Sequence, residues 1–328
     1  MDSEESAGAD SFESSVDGAK SDGATSAELP GAGGTYRIMG VVNVTPDSFS
    51  DGGLYLDPAA AVEHAIELAN EGAAILDVGG ESTRPGAEPV SAEEELRRVL
   101  PVIEGLVAAG VRAQISIDTS KAAVAAAALN AGATLVNDVT AFRSDPGIAS
   151  LVAASGADCC LMHMLGEPRT MQREPRYEDV VSEVKAFLEQ RMASAISAGV
   201  ADERILLDPG IGFGKTGANN LELLSRLDEI VALGRPVVVG TSRKSFLGRL
   251  AGGRATDERL AGTIATNVMA YERGASVFRV HDVRPVHDAL AVAAATVRAG
   301  CRSTTTPTSS TTSTKALTRA TRNAPSPR

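Results

Sequence analysis

Short apolar runs alternate with longer amphipathic stretches along most of the chain. The runs are continuous and rich in Val, Ile and Leu, which is typical of strands buried on both faces of a parallel sheet. The longer stretches carry apolar residues at helical spacing, and several end in a glycine just before the next apolar run. This pattern predicts eight strand–helix units in a parallel sheet that helices cover.

Each predicted strand is followed by its own helical segment. The predicted strands are Arg37–Val44, Ala73–Val78, Arg112–Asp118, Ala133–Asp138, Ala157–His163, Arg204–Asp208, Arg235–Gly240 and Ala275–His281. The predicted helices are Pro58–Glu71, Ser91–Ala109, Lys121–Ala131, Gly147–Ser155, Glu178–Ala198, Asn220–Ala232, Ser245–Leu250 with Asp257–Arg273, and Pro285–Arg298. Ser91 followed by Glu94 forms a capping-box pattern at the start of the second helix.

Eight units in about 265 residues match the (β/α)8 barrel, or TIM barrel, whose usual length is about 250 residues. The predicted fold class is therefore α/β, a (β/α)8 TIM barrel with disordered N- and C-terminal tails. A doubly wound open sheet is the alternative. Such a sheet usually has fewer units and a glycine fingerprint after its first strand, and the first strand here lacks that fingerprint.

Three segments are expected along the chain: an acidic disordered tail over residues 1–35, the barrel over 36–300, and a basic Ser/Thr-rich disordered tail over 301–328. Residues 1–34 hold eight acidic residues and one lysine, whereas residues 302–328 hold five basic residues and no acidic one. Both ends have few large apolar residues. They therefore cannot bury enough surface to offset the entropy lost on ordering.

Composition excludes several classes of protein. Hydrophobic residues make up 43% of the chain and aromatic residues only 3%, so a sizeable but aliphatic core is expected. The net charge of −11 argues against a nucleic-acid binder, and no apolar run is long enough to cross a membrane. The three cysteines, two of them adjacent, do not form a disulfide framework. Together with an acidic start unlike a signal peptide, they predict a cytoplasmic location.

Polar residues end every predicted strand except the seventh, although the strands themselves are apolar. In (β/α)8 barrels the chemistry lies at the carboxyl ends of the strands, so we expect these side chains to meet around one site. Any single carboxylate among them has the alternative role of a helix cap or a loop acceptor. The strand-end residues are Asn43, Asp77, Asp118, Asn137, Asp138, His163, Asp208, Arg279 and His281.

Basic residues near the seventh and eighth strands predict an anion site, because barrel phosphate sites often form there. Arg279 and His281 are two residues apart on a strand and so face the same side. Arg243 and Lys244 follow the seventh strand. The alternative for Arg279 is an ion pair with a neighbouring carboxylate, such as Asp282, that only supports the fold.

The acidic strand ends need a different ligand. Asp118 and Asp208 can accept paired N–H donors from an aminopyrimidine edge, and Asn137 can pair with the same heterocycle. The four histidines are scattered and give no zinc pattern. Asn43 with waters and a substrate diphosphate would suit Mg²⁺, which takes few protein ligands.

The glycine-rich run after the sixth strand, GIGFGKT, resembles two phosphate-binding patterns but matches neither. Pro209 stands where the P-loop needs its first glycine, and Lys215 stands where the dinucleotide fingerprint needs its third. We interpret the run as a flexible loop that brings backbone close to a flat ligand. Phe213 is its only large side chain.

Several ordered motifs, taken together, resemble the dihydropteroate synthase family of folate biosynthesis. The resemblance covers residues 36–300, with no departure at a motif position. The family's two signatures appear as MGVVNVTPDSFSDGG from Met39 and LDVGGESTRPGAEPVS from Leu76. Further matching runs are SIDTS, NDV, LMHMLGEPRTMQ, LLDPGIGFGKT, GTSRKSFLG and RVHDV.

The resemblance implies a transferase that joins a 6-hydroxymethyl dihydropterin diphosphate to 4-aminobenzoate and releases diphosphate. It implies Asn43 as the Mg²⁺ ligand, and Asp118, Lys244 and Arg279 as the catalytic residues. The pterin would contact Asp118, Asn137, Asp208 and Lys244. Arg279 and His281 would hold the diphosphate, and Thr83 would contact the diphosphate-bearing substrate. The aminobenzoate would be framed by Thr83, Arg84, Pro85, Phe213 and Ser242.

The resemblance also implies mobile loops after the first two strands, a homodimer through late helices, and a sulfonamide target. It implies no nucleic-acid or membrane partner. Three alternatives remain open: a pterin-dependent methyltransferase, a catalytically silent pterin-binding paralogue, and a bifunctional folate-pathway enzyme. The chain has little spare length for the second domain that the last alternative needs.

Overall fold

The computed structural model describes residues 35–45, 57–84 and 86–302. Within them eight strands pair in parallel in the order β6-β5-β4-β3-β2-β1-β8-β7. A bridge between Leu207 and Val237 joins the two outer strands of that order, and Leu207 N donates to Pro236 O over 3.0 Å. The sheet therefore closes on itself, which confirms the TIM barrel and rejects the open sheet.

Helices follow the strands as predicted. The strands are β1 Arg37–Asn43, β2 Ile75–Gly79, β3 Gln114–Asp118, β4 Leu135–Asp138, β5 Asp158–Met162, β6 Ile205–Asp208, β7 Val238–Val239 and β8 Val277–Val280. The helices are α1 Pro58–Asn70, α2 Ala92–Ala108, α3 Ala122–Ala131, α4 Gly147–Ser155, α5 Val180–Ser197, α6 Gly217–Ser225, α7 Asp228–Val231, α8 Ser245–Leu250, α9 Leu260–Glu272 and α10 Val283–Arg302. Short 3₁₀ turns, Asp202–Arg204 and Asp257–Arg259, precede β6 and α9.

Two predicted elements are shorter or divided. The seventh strand is shortened to Val238–Val239, with Val237 joined to β6 by an isolated bridge. Pro236, just before it, has no N–H to give to a ladder. The single predicted helix Asn220–Ala232 is instead the pair α6 and α7, which a residue outside helical geometry, Arg226, separates.

The predicted capping box at Ser91 is only half formed. Ser91 Oγ accepts from Glu94 N over 3.2 Å, but the Glu94 carboxylate turns away to Arg97 and Arg98. A full capping box occurs instead at the start of α6, where Thr216 and Asn219 satisfy each other's backbone N–H groups.

The inside of the barrel changes character along its axis. One inward layer is apolar and fully packed, and its members come from seven of the strands: Met39, Ile75, Leu135, Cys160, Leu206, Val238 and Val277. Side chains alternate along a strand, so the next inward positions lie two residues further on. Those positions include Asp77, Asn137, Asp208 and Arg279. We call the apolar layer the barrel floor and the polar layer above it the barrel mouth.

The predicted disordered tails lie outside the described residues, apart from Thr35 at one end and the last two residues of α10 at the other. In the described part of the chain, no helix is long and apolar enough to span a bilayer. Cys159 and Cys160 lie within β5 and are fully buried.

Candidate active site

A pocket opens at the carboxyl ends of the strands, over the barrel mouth. Most of the predicted site residues line it, although they are spread along the chain. The predicted residues in its wall are Thr83, Asp118, Asn137, Asp208, Phe213, Ser242, Lys244, Arg279 and His281. Backbone and apolar side chains of Val139, Met162, Gly210, Ile211 and Gly240 complete the lining.

Arg279 enters the mouth from β8 and binds two carboxylates at once. Its Nε donates to Asp77 Oδ2 over 2.6 Å, and its Nη2 donates to Asp118 Oδ2 over 2.7 Å. The alternative pairing of Arg279 with Asp282 is wrong, because Asp282 is held by Arg243, with Nε and Oδ2 2.9 Å apart. Burial works to lower the pKa of Arg279, but Asp77 and Asp118 outweigh it and raise that pKa.

Asp77 was named among the strand ends but not among the predicted site residues. Its carboxylate is completely buried in the middle of β2. Besides Arg279 it accepts Ser116 Oγ over 2.6 Å and Asn137 Nδ2 over 3.0 Å. Asp77 therefore fixes the orientation of both Asn137 and Arg279, two residues of the pocket wall. The inward register of β2 was the sequence signal that pointed to it.

Burial raises the pKa of both carboxylates that line the pocket, Asp118 and Asp208. Burial raises the pKa of Asp118 to about 7, although Arg279 works in the opposite direction. Burial also raises the pKa of Asp208, whose Oδ1 accepts Gly210 N over 2.6 Å. A ligand that brings N–H donors or positive charge to these groups would recover part of their desolvation cost.

Lys244 is a buried cation of the same pocket. Its Nζ donates to Ile211 O over 2.8 Å and lies 4.1 Å from the centroid of the Phe213 ring. Burial lowers the pKa of Lys244 to about 8, although Asp208 works to raise it. The ammonium thus sits where a ligand acceptor can add a hydrogen bond, and the Phe213 ring face supports the positive charge.

Ser242 and His281 form a pair at the pocket wall. Ser242 Oγ accepts from His281 N over 3.1 Å and lies 2.9 Å from His281 Nδ1. The hydroxyl can donate its own proton to Nδ1, and the ring proton would then lie on Nε2. Burial, with Arg279 and Arg243, lowers the pKa of His281 to about 3. His281 is therefore a neutral hydrogen-bond donor rather than a cation.

The glycine-rich run is tightly packed, contrary to the flexible loop that we expected. Gly210 has a φ of 68°, and a Cβ there would lie 1.8 Å from His163 O. Gly214 has a φ of 64°, and a Cβ there would lie 2.6 Å from Leu165 O. Only glycine permits both the backbone angle and the close approach to the segment after β5.

Lys215 and His163 form a buried pair beneath this run, and neither was predicted as a site residue. Lys215 Nζ lies 2.8 Å from His163 Nδ1 and donates to Phe213 O over 3.0 Å. Burial lowers the pKa of Lys215 to about 7 and that of His163 to about 2. The pair holds the backbone that carries Phe213. The sequence offered Lys215 only as a break in a glycine motif, so this role had no local signal.

Other predicted residues lie outside the pocket wall. Asp138 points away from the mouth and accepts Thr140 N and Phe142 N, each over 2.7 Å, so it stabilises its own turn. Arg84 is exposed, and Asn43 is half-buried at the end of β1. Pro85 lies outside the described residues.

A closed metal site of side chains is not found in residues 35–45, 57–84 and 86–302, which contain no group of three or more His, Cys, Asp or Glu suited to one. This does not conflict with the Mg²⁺ prediction, since a single amide oxygen such as that of Asn43 suits an ion that takes its other ligands from water and substrate.

The fold and the site define a barrel protein whose strand ends bring buried acceptors and basic donors together in one pocket. The family described as "Pterin binding enzyme" matches residues 39–281. The dihydropteroate synthase of Escherichia coli K12 is 47% identical over 263 residues, which cover 80% of this chain and 92% of that protein. That of Mycobacterium leprae is 48% identical over 270 residues, covering 80% and 94%.

Solved structures agree with these relatives. A Xanthomonas albilineans dihydropteroate synthase with 4-aminobenzoic acid is 50% identical, with a TM-score of 0.75 over 80% of this chain and 93% of that one. A Yersinia pestis dihydropteroate synthase with a sulfonamide drug is 43% identical, with a TM-score of 0.76 over 80% and 94%. The chain belongs to the pterin-binding enzyme family, among the dihydropteroate synthases, which are transferases.

Proposed function

We propose that the barrel mouth condenses a 6-hydroxymethyl dihydropterin diphosphate with 4-aminobenzoate to give 7,8-dihydropteroate and diphosphate. The observation that carries the proposal is the convergence in one pocket of buried acceptors, Asp118, Asn137 and Asp208, with the donors Lys244 and Arg279. Solved relatives have been described with 4-aminobenzoate and with 7,8-dihydropteroate, which supports the same substrates here.

The pterin is held by the carboxylate and amide side of the pocket. Asp208 accepts N–H groups of the aminopyrimidine edge, and Asn137, oriented by Asp77, offers both an acceptor and a donor. Lys244 donates to a ring acceptor. Because the pKa of Asp208 is raised by burial, pairing it with ligand donors adds more to affinity than at an exposed carboxylate.

The reaction breaks the bond between the pterin CH₂ carbon and the diphosphate oxygen. The electron-rich dihydropterin ring shares the positive charge that develops at this carbon, and the ionised Asp118 carboxylate stabilises it. The 4-aminobenzoate nitrogen then forms the new bond to carbon and loses one proton. The neutral aryl amine needs placement rather than a base, so the chain supplies no covalent nucleophile.

The leaving diphosphate is held by Arg279 and His281. Arg279 uses Nε and Nη2 for Asp77 and Asp118, and a guanidinium has five N–H donors, so three remain for an anion. His281 contributes its Nε2 proton as a neutral donor. Asn43 would hold Mg²⁺, and the bound ion would neutralise charge on the diphosphate.

The aminobenzoate is framed by residues on the other side of the pocket. Phe213 offers a ring face, Ser242 a hydroxyl, and Thr83 a hydroxyl from the loop between β2 and α2. Arg84 is exposed on that loop, where it can meet the benzoate carboxylate, and Pro85 follows it. Since a sulfonamide drug has been described with the Yersinia pestis enzyme, we propose this chain as a sulfonamide target. A homodimer and a cytoplasmic location belong to the same proposal.

The test is to incubate the purified full-length chain with the pterin diphosphate, 4-aminobenzoate and Mg²⁺ and to measure dihydropteroate. We expect product that requires both substrates and decreases when Mg²⁺ is chelated. A chain that binds the pterin tightly yet makes no product would be a silent paralogue. Methyl transfer from a methylated tetrahydrofolate in the same preparation would instead support the methyltransferase.

A further inference from the structure

The loop between β2 and α2 has its two ends joined by one carboxylate. Glu81 lies just after β2, and its Oε1 accepts from Val90 N over 3.0 Å at the other end of the loop. Thr83 of the pocket wall lies between the two bonded ends of the loop. We call these two bonded ends the loop base, and the position of Thr83 depends on how the loop base is held.

A lysine of the next strand–helix unit holds the base. Lys121 Nζ lies 2.5 Å from Glu81 Oε2 and 2.5 Å from Glu95 Oε2 of α2. Lys121 follows Asp118 by three residues, so it connects the loop that carries Thr83 to the strand end that carries Asp118. Burial works to lower the pKa of Lys121, but the hydrogen bonds to Glu81 and Glu95 outweigh it and raise that pKa.

The same loop has a second anchor at its base and an open tip. Arg98 of α2 donates from Nη1 to Gly80 O over 2.8 Å. By contrast, Glu88 near the tip is 76% exposed and meets Arg169 over 3.1 Å, a surface ion pair of small energetic weight. The base is thus fixed by several contacts while the tip faces solvent.

We propose that Glu81 is a positioning residue for the synthase reaction, which sets Thr83 against the pterin side of the pocket through its link to Lys121. The inference rests on the proposed function and deepens it. Glu81 does not line the pocket and so acts through Thr83 rather than on the substrates. Its loss moves the loop that frames 4-aminobenzoate but leaves the pterin contacts of Asp208, Asn137 and Lys244 in place.

The link between Lys121 and the loop can be removed at Glu81 without leaving a buried charge unpaired. Glu81 is 21% exposed, whereas the Glu95 side chain is completely buried and depends on Lys121. Replacing Lys121 would leave Glu95 unpaired and threaten the fold. Glu81→Ala removes only the link to the loop and keeps the Lys121–Glu95 pair. Glu81→Gln removes the charge and keeps one of the two hydrogen bonds, because an amide has a single acceptor oxygen. Glu88→Ala is the matched control on the same loop.

The experiment measures steady-state kinetics for 4-aminobenzoate, calorimetric affinity for a bare pterin, and melting temperature for the wild type and these three variants. A displacement of about 1 Å in a positioning group can cost about 100-fold in rate. For Glu81→Ala we expect kcat/KM for 4-aminobenzoate to fall about 10- to 100-fold, with pterin affinity unchanged within about twofold. Glu81→Gln should lie between Glu81→Ala and the wild type, and Glu88→Ala should match the wild type.

Three results would overturn the inference: full activity in Glu81→Ala, a loss of pterin affinity as large as the loss of kcat/KM, or an equal loss in Glu88→Ala. A kinetic loss that merely follows a lower melting temperature also counts against it, because a structural role would give that result. Failure of the proposed function is separate, since it appears as a wild type that makes no dihydropteroate.

Discussion

The barrel floor and the barrel mouth are built by the same strands, two residues apart, and they differ in almost every physical respect. The floor side chains are apolar and make only packing contacts. In the mouth, Asp77, Asp118 and Asp208 lie buried close to Arg279 and Lys244. Burying these charges costs stability that a second apolar layer would not. The floor therefore stabilises the fold, whereas the buried charges of the mouth lower the free energy of unfolding and serve ligand recognition.

The largest effect should come from removing the cation that the mouth carboxylates share. Arg279→Ala leaves Asp77 and Asp118 buried without their partner, which we expect to cost about 3–5 kcal/mol of unfolding free energy at neutral pH. The cost should shrink as pH falls, because protonated carboxyls no longer need a cation. Denaturant melts at several pH values measure it. Arg226→Ala, which removes ion pairs near the surface, is the control and should change stability far less.

A floor substitution should cost nearly as much stability without touching recognition. Ile75 is completely buried in the floor layer. Ile75→Ala should lower the unfolding free energy by about 2–5 kcal/mol through lost transfer energy and a cavity. The affinity for a bare pterin, measured by calorimetry below the melting range, should stay within about twofold of the wild type. A large loss of affinity would mean that floor and mouth are not separable.

The complementary variant, Asp208→Asn, lies in the mouth and should weaken pterin binding without lowering stability. It replaces an acceptor oxygen by a donor that faces the N–H edge of the pterin, which should weaken binding by about 1–3 kcal/mol. The unfolding free energy should not fall and should rise at neutral pH. The sign follows from the raised pKa of Asp208: the wild type loses stability as pH rises through that pKa, and the uncharged amide does not. Calorimetry and melts on the same samples check both halves.

The smallest predicted effect is a dependence of kcat/KM on pH that arises from residues of the mouth alone. Since burial raises the pKa of Asp118 to about 7, kcat/KM for the pterin diphosphate should fall below about pH 7, up to tenfold per unit, as Asp118 takes up a proton. Lys244, with its pKa lowered to about 8, should give a falling limb above that value. An acid limb that persists unchanged in Asp118→Asn would assign it to another group.

The fold could be predicted from the sequence because the signals that indicate it are local. Continuous apolar runs, helical spacing and closing glycines each depend on a few neighbouring residues, and together they define eight units. The shortened seventh strand was also accessible, since Pro236 stands in the predicted run. The division of the predicted helix Asn220–Ala232 was harder to predict, because Arg226 forms an ion pair with Asp179, which lies at the start of another helix.

The site residues were predicted from strand ends and family motifs, but their partners were not. Asp282 is the nearest carboxylate to Arg279 in sequence, yet barrel closure brings Asp77 and Asp118 to it from 202 and 161 residues away. Asp282 lies two residues beyond the end of β8, and Arg243 holds it there. The Lys215–His163 pair likewise depends on two loops that only the closed barrel brings together.

The most direct test of the division between floor and mouth is dihydropteroate formation by three full-length proteins under identical conditions: the wild type, Asp208→Asn and the mild floor variant Ile75→Val. We expect product from the wild type and nearly wild-type rates in Ile75→Val. In Asp208→Asn we expect kcat/KM for the pterin diphosphate to be lower by about 5- to 150-fold, which corresponds to about 1–3 kcal/mol. Equal rates in all three proteins, or no product from the wild type, would contradict the division between floor and mouth.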